Sequence, residues 1–229
     1  AFGFKNMFKE FNMTYFNMYR DKLHFFKLTL IAIAGIIAYM PLSIYDFILK
    51  KNVGIDIKNI KLYKYSWIAS SIASLLGFGG ATSLAFKQYF YGSHVKDKKK
   101  LLREIGKIIF LNLTGLSVLC IIYILLEFKD IQNLGLIKYV VYGVSAYAPL
   151  VIINSLYNYK KKKDEEGFTL KVVGISFMEW TLNMLLIYLI LAITGAHIKL
   201  TEYFYVYVRA TAVGIVSMVP GGLGTFDLT

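Results

Sequence analysis

Five ionisable residues stand where an apolar sequence makes charge costly. Arg209 lies inside the apolar run 203–219, about ten residues before Pro220, and Glu179 lies about two turns into the run 172–193. Lys87 follows a glycine cluster in the run 67–91. Asp46 is about one turn from the end of the run 28–49, and Asp227 follows a Pro-Gly-Gly motif. Charges within such runs face a cavity or a partner in most known cases. The cations suit a phosphate group, arginine above all because its fork binds two oxygens at once. The carboxylates suit an amine-bearing headgroup. Plainer readings are an internal Arg209–Glu179 ion pair, and snorkelling of Lys87 and Asp46 to the nearby ends of their runs.

Two glycine-rich breaks would give these charges a polar setting. Gly77, Gly79 and Gly80 interrupt the second run, and Pro220, Gly221, Gly222 and Gly224 end the last. Irregular backbone at membrane depth survives only when buried in protein or lining a wet cavity. Broken helices of this kind present half-helix ends to substrates in transporters. The alternatives are close helix packing through small residues for the first break, and simple punctuation between spans for the second.

Residues for covalent chemistry are sparse. His24, His94 and His197 are scattered with no carboxylate or cysteine at metal-ligand spacing, so neither a metal site nor a cofactor is expected. No serine sits in a nucleophile elbow, and no phosphate loop ends in Gly-Lys-Ser/Thr. Cys120 is the single cysteine and reads as a small core residue. No catalytic residue is assigned. The run Lys160 to Lys163, followed by Asp164, Glu165 and Glu166, reads as a solvated turn or a dock for anionic lipid.

The elements that must position these residues are apolar. Of 229 residues 57% are hydrophobic and 17% charged, against the roughly 25% charged of soluble domains. Six blocks stand out, at 28–49, 67–91, 105–128, 136–157, 172–193 and 203–219, the first interrupted by Pro41. Each has about the length that crosses ~30 Å of hydrocarbon as a helix. The expected fold is an all-α polytopic membrane protein with glycine-broken or re-entrant segments. Residues 1–27 form an interfacial amphipathic segment, in which Phe4, Phe8, Phe11, Tyr15 and Met18 share one helical face. Residues 28–229 form the transmembrane region. Both ends of the chain read as cuts.

The formal net charge of +12 sits largely in short loops. Lys96 to Arg103 and Lys160 to Lys171 place the loops after the second and fourth blocks in the cytoplasm. Lys50, Lys51, Lys58, Lys61 and Lys64 break the alternation. A re-entrant second block, turning at the glycines, restores it for the first loop while moving the basic N-terminal stretch outside. Lysine counts alone leave both topologies open.

Four motifs in order carry a resemblance: Ser43-Ile44-Tyr45-Asp46, Leu76 to Gly80 with Lys87, Asp97 to Lys100 leading to Thr114-Gly115-Leu116, and Ser217 to Asp227 around Pro-Gly-Gly-Leu-Gly. Together they resemble the N-terminal membrane region of the bacterial multiple peptide resistance factor, the lysylphosphatidylglycerol synthase/flippase family. A broader group of membrane proteins shares the Pro-Gly-Gly-x-Gly signature. The family resemblance implies a multi-pass protein of the bacterial plasma membrane that flips aminoacylated phosphatidylglycerol to the outer leaflet. A cytosolic domain outside this chain would transfer lysine from aminoacyl-tRNA to the lipid, making the whole protein a phosphatidylglycerol lysyltransferase and this segment non-catalytic. The implied partners are anionic and aminoacylated phospholipids; aminoacyl-tRNA would enter only through that further domain, and a homo-oligomer is compatible with it. The expected function is a lipid flippase module conferring resistance to cationic antimicrobial peptides. The alternatives are a secondary transporter of a small solute or ion and, with less support from the residues, a membrane enzyme acting on lipid.

Overall fold

The computed structural model describes residues 23–76, 79–128, 130–160 and 167–216, and among them it is helical without strands. The amphipathic face expected at the N-terminus, the Pro220 to Gly224 motif and Asp227 lie outside the described residues.

Helix α1, Phe25–Val53, runs through Pro41 without a break, so the expected interruption there is absent. Within an apolar span, packing and helical neighbours tolerate the missing N–H of proline. Gly54 ends α1 at φ 75°, and its N–H donates to Lys50 at 2.9 Å. The left-handed angle is open to glycine at no steric cost.

The second block is two helices, α2 (Asn59–Leu76) and α3 (Gly79–Tyr91), which pack on each other as a hairpin. Tyr65, about three turns before the end of α2, stacks on Phe90, about three turns after the start of α3, with centroids 4.5 Å apart. The Asp56 N–H, just before α2, donates to the His94 carbonyl just after α3 at 2.9 Å. The hairpin thus returns to the end of the bundle from which it starts. At 13 residues, α3 is only about 20 Å long, shorter than a bilayer core. The break is also narrower than the glycine run: Gly79 and Gly80 are already helical.

The third block becomes α4 (Lys98–Leu111) and α5 (Leu113–Leu126), and the fourth becomes α6 (Ile137–Ser145) and α7 (Tyr147–Lys160). Each pair is a nearly continuous rod with a one-residue interruption, at Asn112 and at Ala146. Asp97 caps α4 by accepting from the Lys100 N–H at 2.9 Å. Helix α8 spans Phe168–Thr194 and α9 spans Leu200–Val216.

Four helical runs among the described residues are long and apolar enough to cross a membrane: Phe25–Val53, Lys98–Leu126, Ile137–Lys160 and Phe168–Thr194. These four coincide with the expected blocks at 28–49, 105–128, 136–157 and 172–193. The second block is divided into shorter helices, and the described residues end at Val216, before the end of the sixth.

Helix α8 is the hub, packing most extensively on α1 and α5. It runs antiparallel to α1: Lys27 Nζ reaches the Ile193 carbonyl at one end, and Phe47, Lys51, Phe168 and Lys171 line a common hollow near the other. One buried cluster joins α1, the hairpin and α4 around Tyr45, Leu49, Tyr91 and Ile105. A second joins α5, α6 and α9 around Leu116, Val141 and Val208.

The rod interruptions are each closed by a serine from a neighbouring helix. Pro149 has no N–H to give to the Ser145 carbonyl four residues back. Ser117 on α5 donates to that carbonyl at 3.0 Å and accepts from the Ala148 N–H at 2.8 Å. At the other rod, Ser176 on α8 donates to the Asn112 carbonyl at 2.5 Å and accepts from the Gly115 N–H at 2.7 Å. Backbone groups freed at membrane depth have no water to bond, so such closure is required.

Candidate functional site

A cavity of about 220 Å³ opens where α1, the α2–α3 hairpin, α4 and α8 meet. Its apolar wall comes from Leu42, Leu49, Ile105 and Ile109, and its polar wall from Ser70, Ser83, Lys87, Asn112 and Glu179.

Lys87 forms one side of the polar wall, with Asp46 buried behind it. Lys87 Nζ lies 2.6 Å from Asp46 Oδ1, with residue exposures of 6% and 0%. Both are therefore buried, and neither snorkels to the end of its helix. Tyr91, one turn beyond Lys87 on α3, donates its hydroxyl to Asp46 Oδ2 at 2.9 Å. A carboxylate with no water at hand is held here by one ammonium and one phenol.

Glu179 stands on the other side, about 16 Å into α8. Its Oε2 accepts from the Asn112 side-chain amide at 2.6 Å, and the same nitrogen reaches the Tyr45 hydroxyl at 3.2 Å. Asn112 sits at the α4–α5 interruption, where its carbonyl also accepts from Trp180 Nε1 at 2.7 Å. The interruption thus serves the site: it presents Asn112 to the cavity and is locked from α8 by Ser176 and Trp180.

Of the residues expected from sequence, Gly80, Lys87 and Glu179 line this cavity, and Asp46 joins it through Lys87. A Cβ at Gly80 would lie 2.6 Å from Ile109 Cγ2, so this glycine permits a close helix approach. Arg209 does not join them. On α9 its Nε donates to the Tyr205 carbonyl of its own helix at 3.1 Å, and it forms no ion pair among the described residues. The alternative of an Arg209–Glu179 pair is therefore absent; Asn112 occupies the carboxylate instead. Lys87, expected as a free cation for phosphate, is neutralised by Asp46.

Tyr45, Tyr91, Asn112, Ser176 and Trp180 escaped the sequence reading. Tyr45 adjoins Asp46 in the Ser-Ile-Tyr-Asp motif, and Asn112 is a lone amide in the apolar run 105–128. A buried amide needs partners, and that signal was available for Asn112. Among the described residues no group of three or more His, Cys, Asp or Glu is placed to hold a metal ion.

Curated relatives have matching sequences. The chain is 33% identical over 210 residues to a phosphatidylglycerol lysyltransferase of Bacillus subtilis (strain 168), which covers 88% of this chain and 24% of that protein. Proteins of the same name from Staphylococcus haemolyticus (31% over 199 residues, 86% and 24%) and Staphylococcus aureus strain COL (30% over 211 residues, 91% and 25%) match likewise. No family model and no solved structure matches the chain. The chain spans about a quarter of the length of the curated relatives it matches. With its long apolar helices, it is a membrane protein related to the phosphatidylglycerol lysyltransferases.

Proposed function

We propose that this chain is a membrane region that translocates aminoacylated phosphatidylglycerol to the outer leaflet of the bacterial plasma membrane. The observation that carries the reading is the small cavity with one polar wall among apolar helices, and one carboxylate, Glu179, that no cation pairs among the described residues. Asp46 and Lys87 cancel; Glu179 leaves the site with a formal excess of one negative charge when both carboxylates are ionised. A buried carboxylate held only by neutral groups, the Asn112 amide and the Tyr45 hydroxyl, gains from a cationic partner. The amine of an aminoacyl headgroup is such a partner, and the names of the relatives point to lysine on phosphatidylglycerol.

The α2–α3 hairpin supports the reading as a re-entrant element. It brings the loops around Asp56 and His94 to the same end of the bundle as the basic stretch of α4, and that end is the cytoplasmic one by charge. Asp46, Lys87 and Glu179 are the headgroup-binding residues of this proposal. Arg209 and Asp227, with the Pro220 to Gly224 motif, would serve the lipid elsewhere along its path. A cationic lipid delivered outside lowers the negative surface potential and so repels cationic antimicrobial peptides.

The test uses cells carrying the full gene. An impermeant amine reagent reports outer-leaflet amino-lipid, and extraction reports the total. Glu179→Gln is expected to lower the exposed fraction several-fold at equal total; an unchanged exposed fraction overturns the role of Glu179.

A further inference from the structure

Charge balance inside the bundle singles out Glu179. Four Asp, Glu, Lys or Arg side chains are buried among the described residues: Asp46, Lys87, Glu104 and Glu179. Asp46 and Lys87 pair with each other at 2.6 Å, and Glu104 holds Lys107 at 2.9 Å and Arg103 at 3.2 Å. Glu179 makes no ion pair among the described residues. Its contacts are the Asn112 amide at 2.6 Å and the Tyr45 hydroxyl, both neutral.

The groups that face Glu179 come from every helix around it. Helix α1 presents Tyr45, while the adjacent Asp46 is turned to Lys87 and Tyr91. Helix α3 presents Lys87, whose field reaches Glu179 but whose ammonium is held by Asp46. The α4–α5 interruption presents Asn112, and α9 presents Tyr207, beside Thr211. Helix α7, which also packs on α8, brings no charged group to it.

An ionised carboxylate among neutral donors and apolar helices is strongly disfavoured. A proton cancels its charge, and so does a cation. The two are mutually exclusive, because a proton on the carboxyl removes the charge that holds an ammonium. The cavity beside Glu179 admits both. Ser70 and Ser83 line it with Lys87, and its 220 Å³ has room for a few waters, enough to pass a proton and too few to replace bulk solvent.

We infer that Glu179 holds a proton and the headgroup ammonium in alternation, so that an aminoacylated lipid moving outward is exchanged for a proton moving inward. The inference rests on the translocation reading of this same cavity. On the cytoplasmic side the ammonium arrives, the Glu179 O–H bond breaks, and the proton leaves to the cytoplasm. On the outer side an incoming proton re-forms that bond and the ammonium is released. Neither half of the cycle then carries a bare carboxylate through hydrocarbon. A lysyl headgroup bears two ammonium groups and one phosphodiester, so a single net positive charge leaves as the proton's enters. The exchange is electroneutral: a pH gradient drives it and a membrane potential does not.

Proteoliposomes of the full-length protein test it, with lysylphosphatidylglycerol in both leaflets and an impermeant amine reagent reading the outer one. With the lumen one pH unit more alkaline than the medium, lipid in the outer leaflet should exceed that in the inner by about tenfold at steady state. Protein-free vesicles should not reach that ratio in the same time, and reversing the gradient should reverse it. A potassium diffusion potential at equal pH should leave the division even. Glu179→Gln should abolish the response to pH, and Glu179→Asp, which keeps a carboxyl, should retain it. Lipid that equilibrates faster than in protein-free vesicles yet stays evenly divided under the pH gradient overturns the exchange and leaves translocation standing. A division that follows the potassium potential overturns one-for-one exchange, and a pH response that persists in Glu179→Gln overturns Glu179 as the proton site. No protein-dependent movement of lipid overturns translocation and the exchange with it.

Discussion

Lys87 Nζ meets Asp46 Oδ1 at 2.6 Å across 41 residues of sequence, joining the α2–α3 hairpin to the first long helix. Removing one partner strands a buried charge, whereas removing both does not. Lys87→Met is expected to destabilise the purified protein by about 3–5 kcal/mol. Adding Asp46→Asn should restore much of that loss, as read by a double-mutant cycle on unfolding midpoints. Additive effects would show that the contact has no energetic weight.

The two serine closures make a separate expectation. Ser176→Ala frees the Asn112 carbonyl and the Gly115 N–H, and Ser117→Ala frees the Ser145 carbonyl and the Ala148 N–H. Each is expected to cost about 1–3 kcal/mol in the same unfolding measurement. Substitution to threonine, which keeps the hydroxyl, is the control for the lost bonds.

Gly115 sits where α5 meets α8. A Cβ there would overlap the Ser176 carbonyl and lie 2.5 Å from the Trp180 indole, neither free to withdraw because both close the Asn112 interruption. Gly115→Ala is expected to destabilise by about 1–3 kcal/mol. Gly174→Ala, with open space at the Cβ, should change stability by no more than about 1 kcal/mol, in the favourable direction.

How far the sequence reached can be judged at particular residues. Asp46, Lys87 and Glu179 were legible because charge inside an apolar run is costly and therefore conspicuous. Their pairing was not, since one-dimensional spacing does not reveal which helices touch; hence Arg209 looked as suited to Glu179 as Asn112 proved to be. The apolar blocks were legible as helices from length and composition. Their division was legible in the second block, at its glycines, and not in the third and fourth. Asn112 and Ala146 interrupt rods without a glycine at the break, and Pro41, the conspicuous breaker, interrupts nothing. Lysine counts tied on topology because they carry no geometry; the Asp56–His94 hydrogen bond shows that the two ends of the hairpin meet.

That hydrogen bond gives a test of its own. Cys120 is buried and is the single native cysteine, so the pair Asp56→Cys and His94→Cys can be followed directly. Mild oxidation is expected to form a disulfide between the two positions in membranes. Each cysteine alone should react with an impermeant maleimide from the same side. Labelling from opposite sides would contradict the hairpin.

The central claim is that the Asp46–Lys87–Glu179 cavity lies on the path of an aminoacylated lipid. Its most direct test is transbilayer movement in vesicles, with lysylphosphatidylglycerol loaded into the outer leaflet and the full-length protein reconstituted. Amine accessible to an impermeant reagent should fall with time as lipid moves inward, at least tenfold faster than in protein-free vesicles, and Glu179→Gln should remove most of that difference. A rate equal to that of protein-free vesicles, or one unchanged by Glu179→Gln, would contradict the account.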